Sequence, residues 1–441
     1  MRGIEGALKV LEEVERGAFA SEALRKTLGD TESAERKLAA TIVYLTLRRQ
    51  GLWRHLLKKY CKRPVESINR DTLLLLVVGI AGVLELKHFK PGVLVNALVQ
   101  RAKRIKDENG ASRDAGLINA VLHTVIERAP DYVEELRAST SLRDQALGFG
   151  VPSWVAAEWG REWGMKDAKR LLHLSTMQTY MSLRASPGTD RGEWMRGCGD
   201  WNPSASDFLE QSIRLETNPY PPDIPGYREG RVTPQSESSM WAVENLLSHW
   251  RGGRLLDMCM GRGIKSGQIL TSIEDAVVEG WDVSPSRLRA SERELARLGV
   301  ASRASVACGD ALYLRPSSPP SAILLDAPCS SSGTWGRHPD GKWRATPESV
   351  RRIAETQKLL FKRACDILPP GGIIMYCTCS VFRDENENAV GSAMALRQDM
   401  VELPARARIP SSRRGKPYGT IAWPESPWMD GFYAAIFRKK N

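Results

Sequence analysis

Two short stretches of this chain combine residue types that can do covalent chemistry. They are LLDAPCSSSG, Leu324 to Gly333, and YCTCS, Tyr376 to Ser380. The first closes an apolar run with a carboxylate, Asp326, and a thiol, Cys329; the second closes another apolar run with Cys379. In a parallel α/β sheet the strand ends lie side by side at the carboxyl edge, where ligands bind. Two thiols and a carboxylate can therefore meet there. A thiolate adds to an electron-poor ring carbon, and a nearby carboxyl can protonate or hydrogen-bond the ring. This combination suits a pyrimidine. Addition to carbon 6 of cytosine makes carbon 5 enamine-like and able to attack a sulfonium methyl group. A base then removes the carbon 5 proton and the thiolate leaves. Asp326 is the candidate to stabilise the adduct near ring N3.

These residues need a sheet to position them. From Gly253 onward, short apolar runs (RLLDMCM, AVVEGWDV, ASVACGDA, AILLDAPC, GGIIMYCTCS, YAAIFRK) alternate with helical patterns such as PSRLRASERELARLG. That alternation predicts a mostly parallel sheet wrapped by helices, a Rossmann-like α/β fold. The first run ends in DMCMGRGIKS, Asp257 to Ser266, where Gly261 and Gly263 allow a sharp turn into a helix N-terminus. No GxGxxG is present, and the GxxxxGK spacing of a nucleoside-triphosphate loop is absent. The weight comes from the acids that follow. Asp282 ends the second run, placed for ribose hydroxyls; Asp310 ends the third, within reach of an adenine edge; Asp326 ends the fourth. Any one of them is more often a cap or turn residue. Four acids at successive strand ends, Asp257 included, describe a nucleoside-type cofactor lying across the carboxyl edge.

The rest of the chain divides by composition. Residues 1–130 carry apolar positions at helical spacing and predict an all-α bundle, with Pro64, Pro91 and Pro130 between helices. Residues 131–232 read as a small helical and irregular linker subdomain, and residues 233–441 as the α/β domain. The net charge is +11, and residues 1–130 hold 23 Lys/Arg against 15 Asp/Glu, with RAKRIK (Arg101 to Lys106) the densest run. Such a basic surface suits a polyanion as well as it suits plain solvation. No segment approaches the roughly eighteen apolar residues of a membrane span. LLLLVVGIAGVLEL, residues 73–86, reads as a buried helix, and the N-terminus lacks a signal-peptide core, so a cytoplasmic protein is expected. Eight cysteines with no CxxC pair predict neither a disulfide framework nor a metal site. Cys61, Cys198, Cys308 and Cys365 are expected to be buried small hydrophobes.

At its chemical motifs the chain resembles the RsmB/Sun family of ribosomal RNA (cytosine-5) methyltransferases, within the NOL1/NOP2/Sun group. The resemblance rests on DAPCS with GRHPD (Asp326 to Ser330, Gly336 to Asp340) and on TCS with ENE (Thr378 to Ser380, Glu385 to Glu387). VTPQSESSMWAVENLL and the tail GFYAAIFRK are similar to the segments that open and close the family's catalytic domain. LRRQGLWRHLL and GLINAVLHTV, in the first 130 residues, resemble its NusB-like RNA-binding helical domain. The resemblance implies that Cys379 attacks and that Cys329 helps to resolve the adduct. It implies S-adenosylmethionine held by Cys259, Met260, Gly261, Arg262, Gly263, Ile264 and Lys265 and by Asp282, Asp310 and Asp326. The implied partner is small-subunit ribosomal RNA, at a single-stranded or locally unfolded cytosine, with a monomer as the default state. Transfer RNA as substrate, or a non-catalytic RNA-binding role in ribosome assembly, are the alternatives. The chain departs from the family's usual CAAPGGK by placing Arg262 at the proline and Ile264 at the second glycine. A β-branched residue does not readily take positive φ, so a loop that needs it there must differ. Trp335 and Trp343 flank the thiol loop and are candidates either to stack on a base or to pack.

Overall fold

The computed structural model describes residues 2–29, 31–86, 90–104, 114–395 and 397–441. Ile105 and Lys106 of the basic run lie outside the described residues. The chain forms two compact units, Met1–Met177 with Trp335–Arg344, and Gln178–Thr334 with Ala345–Asn441. This grouping differs from the three-part division expected from composition, because residues 131–177 continue the helical packing of the first unit.

Every regular element of the first unit is helical among the described residues. The helix Arg70–Glu85 starts where the Asn69 side chain accepts a hydrogen bond from the Thr72 N–H. Leu74 to Gly82 are buried without a break, so this helix is apolar on every side and runs through the core. It packs with Leu52, Trp53, Leu56, Leu98 and Leu122. Pro64 does separate helices, but Pro91 opens the helix Pro91–Ala102 and Pro130 lies inside Asp114–Ala138. Proline suits a first turn, whose N–H groups have no intrahelical acceptor. At Pro130 one backbone bond is lost, yet Val125, Ala129, Val133 and Leu136 remain buried on one face and the helix continues.

The segment Trp335–Arg344, although flanked in sequence by the second unit, belongs to this helical unit. Trp335 is fully buried with its ring 5.9 Å from that of Trp159. The Trp343 Nε1–H donates to the Leu47 carbonyl (2.6 Å), and the buried Lys342 Nζ donates to the Arg48 carbonyl (2.8 Å). Asp340 Oδ2 accepts from the Ala20 N–H at 3.0 Å. Both tryptophans therefore pack in the helical unit, and GRHPD is an anchor there.

The second unit holds two sheets. The smaller, in the order β2-β3-β1-β4, is antiparallel and comprises β1 (Ser182–Ala185), β2 (Ser204–Ala205), β3 (Ser212–Arg214) and β4 (Val232–Pro234). Strands of two to four residues are too short to show alternation in sequence, which is why this region read as irregular. The larger contains β5 (Arg254–Asp257), β6 (Val277–Asp282), β7 (Ala304–Cys308), β8 (Ala322–Asp326), β9 (Ile373–Thr378), β10 (Met400–Leu403), β11 (Ser412–Arg414), β12 (Thr420–Ala422) and β13 (Phe432–Lys439). Its order is β11-β12-β13-β9-β8-β5-β6-β7, with β10 beside β13. β7, β6, β5, β8 and β9 are parallel neighbours, and β13 joins β9 antiparallel. The chain starts this sheet in its middle at β5, runs outward to β7, then returns to β8. The order reverses between β5 and β8, and in open α/β sheets ligands bind at the carboxyl ends beside such a reversal.

Backbone freedom matters at Gly150, which ends Leu142–Phe149 at φ +66°, where an added Cβ would lie 2.7 Å from the Arg49 Cα. Gly150→Ala is expected to destabilise the helical unit by roughly 2–4 kcal/mol, from left-handed strain and the clash together. Thermal denaturation checks this, and an unchanged midpoint would contradict it.

Candidate active site

All the acids and thiols singled out in sequence lie at or just beyond the carboxyl ends of the central strands. After β5 the chain turns through Gly261 (φ +57°) and Gly263 (φ +75°) into the helix Ile264–Ser272. Within this turn positive φ falls only on glycine. Ile264 opens the helix, so the departure from the family pattern leaves the turn unstrained, and Arg262 is exposed with its charge in solvent. Asp282 Oδ2 accepts the Gly261 N–H (3.0 Å) while Oδ1 accepts the Ser284 N–H (2.8 Å), tying the glycine turn to the end of β6. Asp310, two residues past β7, is exposed and accepts the Leu312 N–H at 2.9 Å. Val283 and Tyr313, which follow these two acids, are 65% and 81% exposed. Carboxylates beside an uncovered apolar surface match the donors and faces of an adenosine, and a Cβ at Gly261 would meet only the Cys259 carbonyl, at 4.0 Å. The residues present thus fit a nucleoside cofactor.

The thiols meet. β8 and β9 are parallel neighbours with Asp326 opposite Cys377, and their extensions bring Cys329 Sγ to 3.4 Å from Cys379 Sγ. Cys377 lies inside β9, fully buried, with its thiol directed at Asp326 Oδ1 (3.5 Å); Cys379 is one residue past the strand. Of the four cysteines expected to be buried, Cys198 and Cys365 are, Cys61 is half-buried and Cys308 is exposed at the end of β7. Among the described residues β7 is an edge strand, and Cys308 ends it opposite Asp282 of β6.

Lys265 Nζ sits 2.5 Å from Asp326 Oδ2 and 5.3 Å from the Phe432 ring centroid. Burial alone would lower the Lys265 pKa, but Asp326 and the neighbouring thiols outweigh it and hold it above the ordinary lysine value. The Cys329 thiol is pushed well up by its hydrogen bond with Cys379, then by burial, with the charge of Glu385 adding. It is held protonated. Asp257 takes no position in the crevice. It is buried beneath the glycine turn, accepts the Ser266 hydroxyl at 2.5 Å, and is pushed up to about 7 chiefly by burial.

Sequence reasoning missed the polar support behind the thiols. Glu385, fully buried, accepts from the Ser330 N–H (2.7 Å), the Ser330 hydroxyl (2.5 Å) and the Ser380 hydroxyl (2.5 Å). Gln357, from the helix Pro347–Ile367, donates to the Pro328 carbonyl at 2.8 Å. Gly333 donates to the Cys379 carbonyl, and Gly431 donates to the Gly333 carbonyl, both at 2.9 Å. A Cβ on Gly333 would lie 2.1 Å from the Gly431 carbonyl oxygen, so both backbones meet where no side chain fits. The signal was present in ENE and in the serine run, but nothing in their spacing tells which atoms they reach.

The parallel sheet with its strand reversal, glycine turn and acid edge defines a class I methyltransferase fold. Residues 245–438 match the model of the 16S rRNA methyltransferase RsmB/F family, and residues 5–127 match the NusB family. The chain is similar to ribosomal RNA small subunit methyltransferase B of Cronobacter sakazakii, 28% identical over 97% of this chain and 96% of the relative. It is equally similar to that of Thermus thermophilus, 28% identical over 99% and 97%. Among solved structures, PH0851 shares the fold with a TM-score of 0.81 at 19% identity, covering 99% of this chain and 98% of its own. NSun6 from Pyrococcus horikoshii, solved with SFG, gives 0.57 at 17% identity over 66% and 98%. The α/β part of the chain thus matches the RsmB/F methyltransferase family and its helical part the NusB family. No helix among the described residues is long and apolar enough to cross a membrane.

The position of Asp257 sets a pH dependence. An unfolded aspartate ionises near ~3.9, whereas the folded one holds its proton up to about 7, so the folded state binds more protons between those values. This contribution therefore weakens as pH rises from about 4 to 7 and is level above. Asp257→Asn, which keeps the neutral shape, is expected to show a smaller fall in melting temperature between pH 5 and pH 8 than the wild type. An equal fall in calorimetry would mean that Asp257 is ionised in the fold.

Proposed function

We propose that this methyltransferase transfers the methyl group of S-adenosylmethionine to carbon 5 of a cytosine in small-subunit ribosomal RNA, through a cysteine–cytosine adduct. The observation that carries the reading is the 3.4 Å contact between Cys329 and Cys379 beside Asp326, at adjacent parallel strand ends. A methyl transfer to an activated heteroatom needs no thiol, whereas a ring carbon that must first be made nucleophilic does. The names of the relatives support ribosomal RNA as substrate. The basic surplus of residues 1–130, in the domain that matches NusB, supports phosphate contacts. The protein is further read as cytoplasmic and monomeric.

The residues divide the work. The glycine turn from Cys259 to Lys265, with Asp282 and Asp310, holds the cofactor, which when bound supplies an electrophilic methyl group. The Cys379 thiol adds to carbon 6 of the cytosine, and its proton passes by way of the Asp326 carboxyl, which Lys265 orients, to ring N3, where charge would otherwise develop. When a base has taken the carbon 5 proton, the carbon 6–sulfur bond breaks, N3 gives its proton back to Asp326, and Cys379 leaves as a thiolate. The protonated Cys329 thiol, in contact with that sulfur, donates a hydrogen bond to it as it departs.

Incubation with S-adenosylmethionine and unmethylated small-subunit ribosomal RNA, followed by nucleoside mass spectrometry, tests the whole reading. A gain of 5-methylcytidine is expected; no gain with RNA bound and cofactor bound would refute the assigned reaction on that RNA. Cys379→Ala is expected to lower turnover by at least about a thousandfold while RNA affinity stays near wild type, since the thiol acts only in the covalent step. Retained turnover would remove Cys379 from the nucleophile role. Cys329→Ala is expected to accumulate a protein–RNA adduct, seen as a slow band on denaturing gels. If turnover falls without that band, another group assists departure.

A further inference from the structure

The ENE segment has no role in the chemistry above, yet its first two residues are buried among the thiol turns. We propose that Glu385 is a positioning residue that fixes the Cys329 turn and the Cys379 turn against each other, with Asn386 and Gln357 completing the clamp. The inference rests on the two-thiol reading for its catalytic consequence only; its geometric content stands by itself.

Glu385 reaches both turns at the residue that follows each thiol. Its Oε1 accepts the Ser330 N–H, and its Oε2 accepts both the Ser330 and Ser380 hydroxyls. One carboxylate thus bridges the residues next to Cys329 and Cys379. Gln357 Nε2 reaches the same Oε1 at 3.4 Å while holding the Pro328 carbonyl, so the Cys329 turn is gripped on both sides of the thiol. Asn386 does the same for the other turn. Its Nδ2 donates to the Ser380 carbonyl (2.9 Å), and its Oδ1 accepts the Thr378 hydroxyl (2.5 Å), one residue either side of Cys379. Ser332 adds a cross-link by accepting the Val381 N–H at 2.9 Å.

Glu385, Asn386, Gln357, Ser380 and Ser332 are all 3% exposed or less. A buried carboxylate is costly unless its acceptor sites are filled, and here donors from two separate turns fill them. The arrangement is therefore all-or-none: neither turn can shift without leaving a buried carboxylate short of a donor. Tyr376 reinforces the clamp from within β9 by donating its hydroxyl to the Glu385 carbonyl at 2.5 Å. The two sulfurs have opposed duties in sequence, attack by one and hydrogen-bond donation by the other, so their separation must hold throughout the cycle. A displacement of about 1 Å in such a pair can cost roughly a hundredfold in rate.

The test uses the full-length chain with Glu385→Ala and Glu385→Gln, and two independent readouts. The first is steady-state kinetics with ribosomal RNA and S-adenosylmethionine. Glu385→Ala is expected to lower kcat about a hundredfold, with KM for both substrates within about threefold, because the clamp touches neither directly. Glu385→Gln, which keeps one acceptor oxygen for Ser330, is expected to recover about tenfold of that loss. The second needs no RNA. In a glutathione redox buffer a Cys329–Cys379 bond forms as the glutathione disulfide bond breaks; the protein loses two protons and two electrons, and two glutathione thiols are produced. Mass spectrometry gives the equilibrium constant, expected to fall about tenfold or more in Glu385→Ala as the thiols lose their mutual placement. A fall in kcat with an unchanged thiol equilibrium overturns the proposal, as does a wild-type kcat. A shifted thiol equilibrium in a protein whose wild type methylates no RNA leaves the clamp standing and removes the functional reading. Should Glu385→Ala not fold, Ser330→Ala and Ser380→Ala each remove one hydroxyl donor. Each is expected to show the same split at about tenfold, and no effect from either overturns the proposal.

Discussion

The structure depends above all on the parallel pairing of β8 with β9. Parallel register sets Asp326 opposite Cys377, and from there each chain needs only two or three residues to bring Cys329 and Cys379 together. Both strands are buried along nearly their whole length, so neither tolerates a slip: one residue of register would turn every core side chain to the other face. Hydrophobic burial thus fixes where the two thiol turns leave the sheet. The same pairing puts Asp326 beside Lys265, which arrives from the glycine turn after β5 on the other flank of β8.

Burial alone would not hold the loops that carry the chemistry. Beyond the strand ends Ala327, Val381 and Phe382 are still buried, but the polar backbone between them must find partners or stay wet. Here serines supply them. Ser330, Ser332 and Ser380 each hydrogen-bond across turns, and each bond to the Glu385 carboxylate is of the charged kind, worth about 1.5–3 kcal/mol net against about 1 for a neutral pair. Glycines do the complementary work: Gly333 and Gly431 meet backbone to backbone where a methyl group would strike the carbonyl. Order in these loops comes from satisfied polar groups and close backbone contact.

The sequence made the sheet and the strand-end acids legible because buried parallel strands leave contiguous apolar runs, and Asp257, Asp282 and Asp326 punctuate them. Cys329 and Cys379 were legible as partners for the same reason. Other features had no local signature. Asp257 looks like the other three acids in sequence, yet it lies under the turn instead of in the crevice, a distinction made by the Ser266 hydroxyl nine residues away. GRHPD follows the thiol loop so closely that it reads as part of the site. Asp340, Lys342 and Trp343 instead bond the backbone of helices some three hundred residues earlier, and no periodicity reports a contact of that range. Pro130 read as a break because proline costs a backbone bond, but tertiary burial of its helix face outweighs one lost bond.

The altered glycine turn shows how a motif can change letters and keep its physics. Here the turn has two left-handed residues and a helix that begins at once. The two are Gly261 and Gly263, and Ile264 is the first helical residue, where φ is negative and a β-branched side chain is allowed. The proline position, now Arg262, faces solvent, so neither its fixed φ nor its missing N–H is needed to close the turn. What closes it is Asp282, which takes the Gly261 N–H, and Gly263, whose hydrogen in place of a Cβ leaves room for Ser291 at 2.9 Å. The constraint therefore lies on φ and on space at two positions, and side-chain identity between them is free to drift.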